Sequence, residues 1–122
     1  PVMDAPDVAV ILNQQSFDKF QNVVKKGGLI VANSAMVDVN TFKRSDDVKL
    51  ITLRATDISR EVTGKELSTN MAALGGYIAA DKTLSYEIIE QTLRANLDPS
   101  KHKILEPNLK TIRAGMDAVA TS

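Results

Sequence analysis

The sequence contains no cysteine. That absence excludes a disulfide framework, a thiolate zinc site and ordinary iron–sulfur ligation, and it fits a cytoplasmic chain. Neither sign of charge is in excess, since 15 Lys and Arg face 15 Asp and Glu. No global field therefore draws in nucleic acid or an anionic membrane, and a partner has to be found by shape and local chemistry. No apolar run approaches the roughly 20 residues that cross a bilayer. The opening, "PVMDAP", has neither the basic start nor the apolar core of a signal peptide, so secretion is not expected. A Gly-rich phosphate loop is missing too. "KKGG" follows a helical stretch rather than a strand, and "LGGYIAA" lies within a helical pattern, which assigns these glycines to turn formation and close helix packing.

What is present is an ordinary globular composition, 43% hydrophobic and 25% charged over 122 residues, enough for a single domain, 1–122, with one core. Three short runs rich in β-branched residues predict strands: Asp7 to Leu12, Leu29 to Asn33 and Val48 to Leu53. They are apolar enough for strands buried on both faces of a parallel sheet. Between the first two, Phe17, Phe20 and Val24 recur at helical spacing. "KKGG" then predicts a helix end, with its lysines in the last turn and its glycines just beyond. This is a βαβ unit, whose crossover is right-handed. "DVNTFKRSD" predicts an excursion before the third strand, and "ATDISREVTG" a short helix closed by Gly64.

The second half predicts helices. Leu67, Met71, Leu74 and Ile78 mark one stripe of a helix from about Leu67 to Ala80. Its remaining positions, Ala72, Ala73, Gly75, Gly76, Ala79 and Ala80, make it thin enough for another element to pack close. Ser85 is placed to cap the next helix, with Glu87 in its first turn and Tyr86, Ile89, Leu93 and Leu97 as its buried stripe. "NLDPSKHK" reads as a loop. Leu109, Ile112, Met116 and Val119 give a last amphipathic helix, with Pro107 in its first turn or kinking a longer one. The fold class predicted is α/β, a partial doubly wound parallel sheet of about three strands with flanking helices, a βαβ part over 1–64 and a helical part over 65–122. Such sheets usually carry five or six strands, so the chain is expected to be the C-terminal portion of a larger domain.

Chemistry-bearing residues are few. His102 has no second His or carboxylate at ligand spacing, which leaves it as a solvated side chain. Asp38, Asp46, Asp47 and Asp57 stand in polar stretches without an acid or base partner, consistent with surface or capping roles. Neither a nucleophile triad nor a metal motif is present. The candidates left are polar residues at the strand ends, since ligands of open α/β sheets bind beyond the carboxyl ends of the strands. "LNQQS" and "NSAM" put Asn13, Gln14, Asn33 and Ser34 there. Neutral amides and hydroxyls can orient a ligand or a partner subunit. The other reading of the same residues makes Asn13 or Ser16 a helix N-cap and Ser34 a turn former.

Four blocks, "DVAVILNQQSFDKFQNVVKKGGLIVANSAMV", "ATDISREV", "NMAALGGYIAA" and "KILEPNLKTIRAGMDA", taken in order, resemble successive segments of the gamma subunit of 2-oxoacid:ferredoxin oxidoreductases. The stretch "LDPSKHKILEPN" resembles the 2-oxoglutarate enzymes most, then those for pyruvate and branched-chain 2-oxoacids. In that family the gamma domain begins with a strand and a Gly-x-Gly-Gly-x-Gly loop that this sequence lacks, so no role of that loop carries over to a residue here. The resemblance implies an accessory subunit of a complex in which alpha and beta subunits hold thiamine diphosphate and iron–sulfur clusters pass electrons to ferredoxin. Coenzyme A accepts the acyl group. The resemblance implies that this chain alone binds no cofactor and is inactive, and that it helps in assembly and in receiving coenzyme A; separately, the unpaired edge of a short apolar sheet predicts that the isolated chain pairs with another copy. Two other readings compete with it: an adenosine-cofactor-binding half-domain of a methyltransferase or dehydrogenase, and a pure assembly module docking a partner on the thin Ala/Gly helix. The former requires a Gly-rich strand–helix turn and a ribose-binding acid, and neither is found.

Overall fold

The computed structural model describes residues 7–44, 47–66, 68–81, 84–96, 100 and 102–120, with residues 102 and 120 described by their backbone alone. The β-branched runs form three strands, β1 (Val8–Ile11), β2 (Leu29–Asn33) and β3 (Lys49–Leu53), parallel and ordered β1-β2-β3. Each lies within its predicted span, and the fold is the α/β arrangement expected. Val8 stands opposite Leu29, which stands opposite Lys49. Asp7, just outside the first strand, still accepts a hydrogen bond from the Leu29 N–H at 2.8 Å.

Side chains alternate across the sheet as a period of two requires. On one face Ala9, Ile11, Ile30, Ala32 and Leu50 meet Phe17, Val24, Val37 and Phe42. On the other, Leu29, Val31, Ile51 and Leu53 meet a layer of helices. Strand order explains this division: successive right-handed crossovers stepping in one direction lie on one side. That side carries α1 (Gln14–Phe20) and a 3₁₀ turn at Val39–Thr41. The opposite side carries α2 (Ala55–Thr63), α3 (Thr69–Ala80) and α5 (His102–Ala120), while α4 (Tyr86–Asn96) packs outside them. β2 is the most deeply covered of the described strands, with Ile30, Val31 and Ala32 fully buried. The expectation of burial on both faces fails for β1, where Val10 is 42% exposed because α3 covers mainly β2 and β3.

The first helix stops earlier than predicted. It ends at Phe20, with Gln21 as C-cap, so Lys25 and Lys26 lie beyond it. The carbonyls freed by this early end find a donor in the excursion before β3, where the Arg44 guanidinium Nη1 reaches Gln21 O and Val24 O, each at 2.8 Å. The buried Gln21 side chain completes the tie by donating to Thr41 O at 3.0 Å and accepting from Lys43 N at 2.9 Å. Val24 therefore stays in the core although it has left the helix.

Helix α2 ends as its sequence requires. Gly64 adopts the left-handed φ of 77° and its N–H donates to Arg60 O at 2.8 Å, a conformation that costs glycine little. The thin helix α3 packs on α5, with the two running parallel. A Cβ on Gly75 would strike the Ile112 carbonyl, and one on Gly115 would strike that of Ala72. Pro107 lies inside α5, the longer of the two helices considered for it. His102 and Lys103, predicted in a loop, are already helical. Leu67, Leu97 and Asp46 lie outside the described residues. The stripe of α4 is shallower than expected: Tyr86, Ile89 and Leu93 touch the α5 cluster, but no residue of α4 is fully buried.

Candidate functional site

The carboxyl ends of β1 and β2 bring the four candidates to one rim of the sheet. Asn13 has extended backbone (φ −140°, ψ 165°), and its side-chain oxygen accepts from the Ser16 N–H at 2.8 Å, so Asn13 is the N-cap of α1. Gln14 begins the helix and reaches across to the excursion after β2. Its Nε2 donates to Thr41 Oγ1 at 2.9 Å and to Asp18 Oδ1 at 2.8 Å, and its Oε1 accepts from the Asp38 N–H at 2.6 Å.

Asn33 is the keystone of the rim, at 1% exposure. Its Nδ2 donates to Leu12 O at 3.2 Å and to Thr56 Oγ1 at 2.9 Å, and its Oδ1 accepts from the N–H groups of Ala35 at 3.2 Å and Thr56 at 3.4 Å. One amide thus ties the ends of β1 and β2 to the start of α2. A buried amide has to satisfy both donors and its acceptor, and Asn33 does so within the chain. Ser34 follows it, half-buried, with its N–H on Leu53 O at 2.9 Å. Its hydroxyl has no hydrogen-bond partner among the described residues. Beside it Met36 is 57% exposed. Gln14 and Asn33 therefore spend both ends of their amides, and Asn13 its side-chain oxygen, on building the rim, and Ser34 and Met36 present its open surface.

Three contributors were not singled out from sequence: Thr56, Thr41 and Gln21. Thr56 follows the end of β3 by the rule that placed the others at the ends of β1 and β2, so that rule could have found it. Thr41 and Gln21 have no local signal, because their roles depend on chain segments 20 to 27 residues away. Asp38 caps the 3₁₀ turn through Asn40 N at 3.0 Å, and Asp57 pairs with Arg54 and Arg60, so both serve local structure. The glycines of "KKGG" lie at the amino end of β2, opposite the rim, and those of "LGGYIAA" are filled by α5 and by Leu53. Neither set is placed to cradle phosphate beyond a strand end. Among the described residues no group of three or more His, Cys, Asp or Glu is arranged to hold a metal ion, and no helix is long and apolar enough to cross a membrane.

The family model described as pyruvate ferredoxin/flavodoxin oxidoreductase matches residues 1–118. The chain belongs to the pyruvate ferredoxin/flavodoxin oxidoreductase family. Within it, the chain is 34% identical over 118 residues to the ketoisovalerate oxidoreductase subunit VorA of Methanothermobacter marburgensis, covering 96% of this chain and 24% of that protein. It is 25% identical over 122 residues to the 2-oxoglutarate synthase subunit KorC of Methanothermobacter thermautotrophicus, covering 98% of this chain and 63% of that one. The chain thus spans less than two thirds of the length of either relative. The fold is that of the gamma subunit of a keto/oxoacid ferredoxin oxidoreductase from Geobacter sulfurreducens, with a TM-score of 0.78 at 22% identity over 95% of this chain and 65% of that chain. Membership in the pyruvate ferredoxin/flavodoxin oxidoreductase family leaves the methyltransferase or dehydrogenase half-domain without support.

Proposed function

We propose that this chain acts as gamma-subunit material in a 2-oxoacid:ferredoxin oxidoreductase, a complex that oxidatively decarboxylates a 2-oxoacid to its acyl-coenzyme A. The observation that carries the reading is the family match across residues 1–118. The chain is one domain-sized part of a cytoplasmic assembly. Thiamine diphosphate and the iron–sulfur clusters belong to partner alpha and beta subunits, and electrons leave through the complex to ferredoxin. A sequence without cysteine offers no thiolate for a cluster. The substrate favoured is 2-oxoglutarate, then 2-oxoisovalerate or pyruvate. The names of the relatives, a ketoisovalerate oxidoreductase and a 2-oxoglutarate synthase, support the class.

The contribution of this chain is to assembly and to the reception of coenzyme A, through the rim built by Asn13, Gln14, Asn33 and Ser34. The internal bonding of the first three favours contact with a neighbouring subunit through Ser34 and Met36 over chemistry at the amides themselves. The test is reconstitution. The purified chain alone should reduce no viologen with any of the three 2-oxoacids and coenzyme A. A complex of alpha and beta subunits completed by a gamma subunit containing this chain should do so with one of them. Turnover by the chain alone, or full turnover by alpha and beta subunits without it, would overturn the reading.

A further inference from the structure

Away from the rim, the carboxyl end of α2 and the amino-terminal turns of α3 and α5 enclose a cavity of about 340 Å³ lined by Thr63, Lys65, Ser68, Lys103, Ile104, Pro107 and Asn108. That volume falls within the range of small-molecule sites, about 300–1,000 Å³. Among the described residues no carboxylate lines it. The acids adjoining lining residues in sequence are engaged elsewhere, Glu66 with Arg60 and Glu106 with Arg94 at 2.8 Å. Lys65 and Lys103 come from two different segments, line one concavity and form no ion pair among the described residues. Between them Ser68 donates its hydroxyl to Asn108 Oδ1 at 3.0 Å, which fixes the Asn108 amide and leaves its nitrogen as a further donor. The remaining wall is apolar: Pro107 and Ile104, the latter 50% exposed.

We propose that this cavity binds a phosphorylated small molecule, its phosphate held by Lys65, Lys103 and the Asn108 amide and its organic body resting on Ile104 and Pro107. Two point charges and a neutral donor suit a dianion with several acceptor oxygens, whereas a carboxylate, though it can accept from more than one donor, offsets only one of the two ammonium charges. An apolar wall beside the charges favours an organic phosphate over the free ion, because only the former buries it. The inference stands independently of the oxidoreductase reading, since no residue of the rim takes part.

Titration of the full chain with AMP, inorganic phosphate and adenosine, followed by amide chemical shifts and calorimetry, tests it. AMP should shift the amides of Lys65, Ser68 and Asn108 and bind about tenfold or more tightly than either phosphate or adenosine, since each half lacks one set of contacts. The double variant Lys65→Gln, Lys103→Gln should weaken AMP binding by about tenfold or more, the loss expected for charge-assisted bonds. The control Lys19→Gln, Lys26→Gln, which changes two exposed lysines on and just after α1, should bind as the parent does. Absence of AMP binding, shifts centred on other residues, equal loss in both double variants, or phosphate binding as tightly as AMP would each overturn the proposal.

Discussion

Asn33 shows how much a single residue can hold. Its amide carries four hydrogen bonds at under 2% exposure, so Asn33→Ala leaves Leu12 O and the Thr56 groups without partners. Stranding buried polar groups in this way costs about 2–3 kcal/mol. The expected outcome is a lowered urea midpoint at unchanged m, read by circular dichroism. Ser34→Ala should leave stability nearly untouched and weaken only subunit assembly, which separates contact from framework. The sequence placed Asn33 correctly at a strand end. It did not show that the amide faces inward, because that depends on Thr56, which folding brings from 23 positions away. A second expectation concerns the two tyrosines, the only ones in a chain without tryptophan. Burial raises Tyr77 above 10.0, aided by its hydrogen bond to Asp81. Burial also raises Tyr86 above 10.0, against the opposing pull of Arg113, which donates to its hydroxyl at 2.7 Å. A phenol whose folded value exceeds its unfolded one favours the folded state at pH below the unfolded value, and that contribution is lost as pH rises through the folded value. Spectrophotometric titration should therefore show both phenols ionising above pH 10.0 in the folded chain, and stability falling in that alkaline window.

At the scale of elements, the strands were legible because β-branched runs bounded by turn residues have no competing reading at that length, and α2 because Gly64 marks its end. The end of α1 was not. Phe17, Phe20 and Val24 keep helical spacing, yet Arg44 and Gln21 stabilise an earlier unwinding that no local pattern announces. The small residues of α3 predicted a close partner but could not name it. That partner is α5, whose own Gly115 meets Ala72 as Gly75 meets Ile112, two reciprocal contacts that fix the parallel pair. Gly75→Ala should therefore cost more than a helical Gly→Ala change ordinarily does. In an exposed helix the change gains up to about 1 kcal/mol, whereas here the methyl meets backbone that must move, and overpacking of this kind costs about 1–3 kcal/mol. Thermal unfolding of Gly75→Ala beside a control at an exposed position of α4, Gln91→Ala, checks the sign. A stabilised Gly75→Ala would mean that the two helices do not approach as described.

At the scale of the whole molecule, the sheet determines what the chain does in isolation. Among the described residues β1 pairs only with β2, and β3 only with β2, so each outer strand has one unpaired edge. Beside the β1 edge Val10 is 42% exposed on the face that α3 leaves uncovered. Soluble proteins ordinarily blunt such an edge with charge, proline or a covering element, because an apolar strand with free N–H and C=O groups recruits another. Within Val8–Ile11 there is no charge and no proline. The expectation is that the purified chain self-associates through β1, and that the same edge is occupied by other strands when the chain is part of its complete assembly. Light scattering over a range of concentrations should show a dimer or larger species that Val10→Lys converts to monomer, since a lysine on the edge penalises pairing without entering the core. Circular dichroism should be unchanged by the substitution. A chain that is monomeric at every concentration, or an oligomer indifferent to Val10→Lys, would place the association elsewhere or remove it.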